Sequence, residues 1–156
     1  MRMISACAAI ALLAATAMPA SADPGHGHTT YSAGAPGNPK QPSRVVQIAM
    51  REGDGTMMFI PNRIEVKRGE QIRFVLRNNG ELDHEFVLAT AEENVKHMKE
   101  MEKNPEMEHD DPNAKRLDRK KVNEIVWRFT KKGTFEYGCL IPGHREAGMI
   151  GIVVVN

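Results

Sequence analysis

Cys139 ends a segment in which apolar and polar residues alternate, Phe135-Glu-Tyr137-Gly-Cys139, and it is followed at equal spacings by His144 and Met149. Successive side chains of a strand point to opposite faces, so Phe135, Tyr137 and Cys139 share one face, opposite Thr134, Glu136 and Gly138. His84, Phe86 and Leu88 show the same parity upstream. A thiol and an imidazole on apolar faces are polar groups that burial penalises unless each finds a partner. One metal ion between them satisfies both more economically than two separate sets of hydrogen bonds. The fold must therefore bring together two inward-facing strand ends that are distant in sequence.

The rest of the chain supplies strands to do this. Val45, Val46, Ile48 and Met50 make a first strand, and Ile64 with Val66 a second. Ile72, Phe74 and Leu76 alternate with mostly polar neighbours in a third, and Asn78-Asn79-Gly80 closes it with residues suited to positive φ. Ile125, Trp127 and Phe129 mark another inward-facing strand, and Met149 to Val155 the last. Some seven short strands separated by turn signals imply an all-β, Greek-key β-sandwich. Ala91 to Lys121 breaks the pattern, being highly charged and carrying Pro105 and Pro112. Its first half has good helix formers with acids leading, so a helix followed by an irregular loop is expected as an insertion over about 91–121.

The 156 residues allow about one domain. Arg2 precedes an apolar run from Ile4 to Met18 and the small-residue sequence Ala20-Ser21-Ala22, which together form a secretory signal expected to end at Ala22. The run is too short to span a bilayer, and no later stretch is apolar enough, so no membrane insertion is expected after cleavage. Residues 23–43 are rich in Gly, Pro, Ser, His and Asn, a composition expected to remain a flexible arm, with the folded domain over 44–156. Cys7 would leave with the signal, so the exported chain keeps one thiol. That excludes a disulfide framework and a two-cysteine binuclear copper centre. With 21 Lys plus Arg against 20 Asp plus Glu there is no basic field for nucleic acid.

Thiolate and thioether are soft ligands, and with imidazole they select copper over zinc, calcium or magnesium. Pro142-Gly143 supplies the bend that lets one loop deliver Cys139, His144 and Met149 to one ion, and His84 supplies a second imidazole. Two histidines, a cysteine and a weak axial methionine describe a type 1 copper centre, suited to one-electron chemistry.

These residues carry a family resemblance over about 44–156, the insertion excepted. The chain resembles the cupredoxins: the Asn78-Asn79 approach to His84 is shared with plastocyanin and pseudoazurin, and the four-and-four loop spacing with rusticyanin. Together with the signal, the His-bearing arm, the Met/His insertion and Tyr137-Gly-Cys-Leu-Ile-Pro-Gly-His144, it looks most like the CopI-type periplasmic copper-tolerance cupredoxins. The resemblance implies His84, Cys139, His144 and Met149 as copper ligands and a periplasmic location. One departure is Glu85, where many cupredoxins carry Asn, Ser or Thr bracing the ligand loop. A carboxylate can accept backbone N–H bonds there instead.

His97, Met98, Met101, Met107 and His109 crowd into the insertion. On a helix His97 and Met101 share a face and are candidates for an accessory copper site. The alternative is a stripe of Val95, Met98 and Met101 that docks the helix on the sandwich. His26 and His28 in the arm are further candidates for loose capture of a divalent metal.

Two functions compete. A copper-tolerance protein would oxidise, buffer or pass on copper and use the insertion for capture. A soluble one-electron carrier would dock a redox partner near His144, through a patch drawn from Leu140, Ile141, Pro142, Ala147 and Gly148. A metal-free structural sandwich leaves the Cys-His-Met loop without a purpose. No nucleophile motif, phosphate loop or ligand set for a separate catalytic copper is present, so an independent enzyme active site is not expected.

Overall fold

The structure is a computed structural model that describes residues 31–104 and 111–156. The strands are β1 (Ala35–Pro36), β2 (Arg44–Gly53), β3 (Thr56–Ile60), β4 (Arg63–Val66), β5 (Gln71–Asn78) and β6 (His84–Ala89), followed by helix α1 (Ala91–Met101). After the helix come β7 (Ala114–Leu117), β8 (Val122–Arg128), β9 (Gly133–Gly138) and β10 (Ile150–Val155). They form two five-stranded sheets, ordered β1-β8-β5-β2-β3 and β4-β10-β9-β6-β7. Two neighbouring pairs, β2 with β5 and β4 with β10, run parallel, and the rest are antiparallel. No helix among the described residues is long and apolar enough to cross a membrane.

The alternation read from sequence sets the core. Ile48, Met50, Ile72, Phe74, Leu76, Ile125, Trp127 and Phe129 of one sheet meet Phe86, Leu88, Phe135, Tyr137, Val153 and Val155 of the other. Aromatic contacts cross the gap: Phe59 meets Tyr137 edge-on at 5.2 Å, and Phe74 meets Phe86 at 5.4 Å. His84 and Cys139 extend this apolar face to one end of the sandwich, both fully buried.

Three strands exceed the sequence expectation. β3 pairs with β2 through a two-residue hairpin in which Asp54 and Gly55 have φ of 51° and 76°. Positive φ at both positions is the type I′ geometry that Asp-Gly favours. β7 lies inside the insertion and pairs with β6, placing Leu117 opposite His84. β1 belongs to the segment expected to be loose. Residues 31–43 instead lie along the first sheet: Ala35 and Pro36 pair with Arg128 and Trp127, Ala33 is buried, and Tyr31 meets Trp127 edge-on at 5.2 Å. Composition misleads there because one aromatic and one alanine close over the tryptophan, whose indole N–H donates to the Ala33 carbonyl. The expected signal and residues 23–30 lie outside the described residues.

Helix α1 starts with a capping box. The Thr90 hydroxyl accepts the Glu93 N–H, and the Glu93 carboxylate accepts the Thr90 N–H. The helix lies over β6 and β9, so the outer face of β9 is covered as well as the inner one. Its buried residues are Asn94 and Met101, with Met98 half-buried against Val87, Ala114 and Leu140. The docking stripe is therefore Asn94, Met98 and Met101, one residue round from the Val95-led stripe.

Candidate metal centre

The site is built where β6 begins and β9 ends. Parity turns His84 and Cys139 inward, and the β9–β10 loop returns His144 to them. Pro142 and Gly143 form the corner of a turn in which the His144 N–H donates to the Ile141 carbonyl at 3.0 Å. Gly143 has φ of 86°, the value that the third position of a type II turn demands and that side chains disfavour. The loop then closes on itself. Met149 donates its N–H to the His144 carbonyl, and its own carbonyl accepts the Cys139 N–H, both at 3.1 Å. Strand β3 braces the far side, with the Met57 N–H donating to Ala147 at 2.9 Å. The loop thus comes to the site with its backbone already bonded, and Met149 is fully buried beside it.

One donor atom from each of His84, Cys139 and His144 lies within 4.8 Å of the others. The two Nδ1 atoms are 3.3 Å apart, and Cys139 Sγ is 3.4 Å from His144 Nδ1. Burial pushes the Cys139 thiol up to about 12, although the N–H groups of Glu85 and Ile141 are aimed at the sulfur and favour the thiolate. The Glu85 N–H contact is 3.3 Å. Donors directed at a thiolate in a place too apolar to ionise suit a cation bound there. His144 is half-exposed, and burial, followed by the neighbouring His84, holds its pKa below the ordinary histidine value. Soft sulfur with two imidazoles fits copper.

Asn78, expected to turn the chain by positive φ, acts through its side chain. The carboxamide accepts the Gly80 N–H at 2.9 Å and donates to the carbonyls of Leu82 and Leu117. Glu85 is buried in place of the usual neutral brace. It accepts the Leu140 N–H, and burial raises its pKa to about 7 against the lowering pull of that bond and of Arg116. Its Oε2 is buried without a partner.

Several participants have no sequence signal. Glu52 at the end of β2 lies 2.7 Å from His84 Nε2 and accepts the N–H groups of Glu81 and Leu82. Its pKa falls below the ordinary carboxylate value: burial opposes this, but those two N–H groups, its own N–H and His84 outweigh it. Glu136, on the outer face of β9, is buried beneath α1. Arg145 donates to both its oxygens at 2.7 and 3.1 Å, and the Asn94 amide donates at 3.0 Å. A strut therefore runs from the helix to the residue after His144.

The remaining candidates separate. Leu140 is buried against Met98 and leaves the expected surface patch, whereas Leu82, 45% exposed, joins it. Leu82, Ile141 and the edge of His144 line an open cleft of about 350 Å³ whose rim carries Glu81, Asp83, Arg116 and Arg119. In the insertion His97 and Met98 are half-buried and Met101 is buried, and His97 is not within the His84–Cys139–His144 cluster. Met107, His109, His26 and His28 lie outside the described residues.

Residues 46–156 match the family described as copper binding proteins, plastocyanin/azurin family. The copper-resistant cuproprotein CopI of Rubrivivax gelatinosus is 45% identical, the match covering 96% of this chain and 95% of that one. CopI of Pseudomonas aeruginosa is 36% identical over 88% of each. Among solved structures, reduced auracyanin from Roseiflexus castenholzii superposes with a TM-score of 0.60 at 22% identity, covering 73% of this chain and 98% of that one, a likeness of fold. Sandwich, loop and family match converge: the chain belongs to the plastocyanin/azurin family of copper-binding proteins.

Proposed function

We propose that this chain is an exported, periplasmic copper-tolerance protein that binds one copper ion at a type 1 centre formed by His84, Cys139, His144 and Met149. The observation that carries this is the convergence of two imidazole Nδ1 atoms and one buried thiol within 4.8 Å at the end of a sandwich. The similar CopI proteins carry copper resistance in their names, which supports the physiological role. Bound copper would supply one-electron chemistry. The chain's own part is to hold the donors in nearly fixed positions through the self-bonded loop, so that little has to move when the charge changes. The accessory copper reading rests on His97 with Met107, His109, His26 and His28, because Met98 and Met101 have packing positions.

A second reading, a plain electron carrier, is favoured by one feature. The half-exposed edge of His144 opens into the cleft beside Leu82 and Ile141, where a redox partner would dock. Its rim is charged, which suits a transient partner better than a permanent one.

Copper titration followed by optical and EPR spectra tests the proposal. One tightly held Cu(II) with intense thiolate-to-copper absorption is expected, lost in Cys139→Ser while the sandwich stays folded. An unchanged spectrum in that variant ends the ligand assignment. Further copper equivalents that vanish when His97, Met107 and His109 are replaced would favour copper handling, and their absence the carrier.

A further inference from the structure

Glu52 lies far from the ligand loop in sequence, yet its carboxylate makes the closest polar contact to a candidate ligand. Oε1 is 2.7 Å from His84 Nε2 and accepts the Leu82 N–H at 3.1 Å, and Oε2 accepts the Glu81 N–H at 3.0 Å. The chain is shaped around this contact. A Cβ at Gly80 would fall 2.4 and 2.5 Å from the two oxygens, so the carboxylate holds this position because residue 80 has no side chain. His84 is fully buried, and its side chain is held between Glu52 on one nitrogen and His144 on the other.

An ionised carboxylate only accepts hydrogen bonds, so the proton of a neutral His84 ring is on Nε2 and the lone pair on Nδ1. That lone pair faces His144 Nδ1 and the Cys139 sulfur, where the metal would sit. The negative charge behind the ring also favours the more positive metal state. Outer-shell carboxylates on ligating imidazoles act in this way at other metal centres, where they raise ligand basicity.

We propose that Glu52 is a positioning residue of the copper centre: it selects the His84 tautomer whose Nδ1 is open to the metal, and its charge stabilises Cu(II) relative to Cu(I). This rests on the type 1 reading above. A glutamine at position 52 puts an amide N–H₂ in place of one of the two acceptor oxygens, facing either the Glu81 N–H or the Leu82 N–H and His84. Either the loop or the imidazole then loses its partner.

The copper-free protein gives the first test, independent of any metal. Two-dimensional ¹⁵N NMR of the wild type is expected to show one His84 tautomer, protonated on Nε2, and Glu52→Gln to show a mixture or the reverse. A wild-type ring protonated on Nδ1 overturns the inference. With copper, Glu52→Gln should weaken Cu(II) binding by about 10- to 100-fold. Cu(I) binding should weaken less, so the reduction potential rises. Gly80→Ala, which displaces the carboxylate without altering either partner, should reproduce both effects and guards against a folding defect in the first variant. Unchanged Cu(II) affinity and potential in both folded variants would overturn the proposal. A wild type without the charge-transfer band would instead refute the type 1 reading, while the tautomer still decides the role of Glu52.

Discussion

Replacing Glu85 with glutamine should remove a pH dependence from the stability of the copper-free protein. Glu85 is 2% exposed, and burial lifts its pKa from 4.5 to about 7. The folded state therefore holds the proton more tightly than the unfolded chain does. Its contribution is fully present below pH 4.5 and is lost as pH rises through about 7. At 1.36 kcal/mol per pKa unit, the loss across that window is about 3 kcal/mol. Glutamine keeps an oxygen for the Leu140 N–H and cannot ionise. His144, whose pKa is lowered by burial first, works with the opposite sign in the same range, so the wild-type curve alone is ambiguous and the difference between the two proteins is decisive. Urea unfolding of both apo proteins at pH 5 and pH 8 gives that difference. At a urea m-value of 1–3 kcal/mol/M, the wild-type midpoint should fall by roughly 1–3 M more than that of Glu85→Gln. Equal shifts in the two proteins would refute the reasoning, because Glu85 would then be ionised in the fold at little cost.

Copper uptake near pH 7 should release one proton from Cys139, since burial pushes the thiol up to about 12. Calorimetry in buffers of different ionisation enthalpy reads that proton directly, and a metal that binds without releasing one is not held by the thiolate. Arg145→Ala should destabilise the fold by about 3 kcal/mol, because it strands the Glu136 carboxylate beneath α1. Adding Glu136→Gln should recover most of that loss in thermal unfolding, and an additive double variant would contradict the strut.

The parts of this protein that were legible in its sequence are those where one residue's neighbours decide its environment. Alternation alone turned His84 and Cys139 inward, and proline and glycine at 142 and 143 announced the turn that returns His144. The β2–β3 hairpin was legible too, in Asp54-Gly55, but the methionines of Thr56-Met-Met-Phe-Ile60 do not alternate cleanly and the strand passed unread. Glu52, Glu136 and Arg145 were not legible at all. Their roles depend on which strands become neighbours and on where the helix lands, and nothing local marks a glutamate that will end beside an imidazole or under a helix. The segment 31–43 failed in the other direction. Its composition is that of a disordered arm, and only contact with Trp127 reveals Tyr31 and Ala33 as part of the core.

That strap also bears on self-association. Outside β8 its sheet has only the two-residue β1, and an uncovered border strand offers unpaired N–H and C=O groups to any passing chain. Residues 35–37 cover its C-terminal half, with Gly37 donating to Val126 at 2.7 Å. The strap then turns its own outer side to water with Pro36, which has no N–H to offer. Among the described residues no strand pairs with the other half of β8 on that side, and there Asn123 and Glu124 break the apolar run while Val122 is exposed. Part of a strand border is thus closed by a segment whose composition resembles that of a loose arm. Trimming it as a dispensable tail would expose a tryptophan and a strand edge together, and the first symptom would be aggregation rather than lost copper.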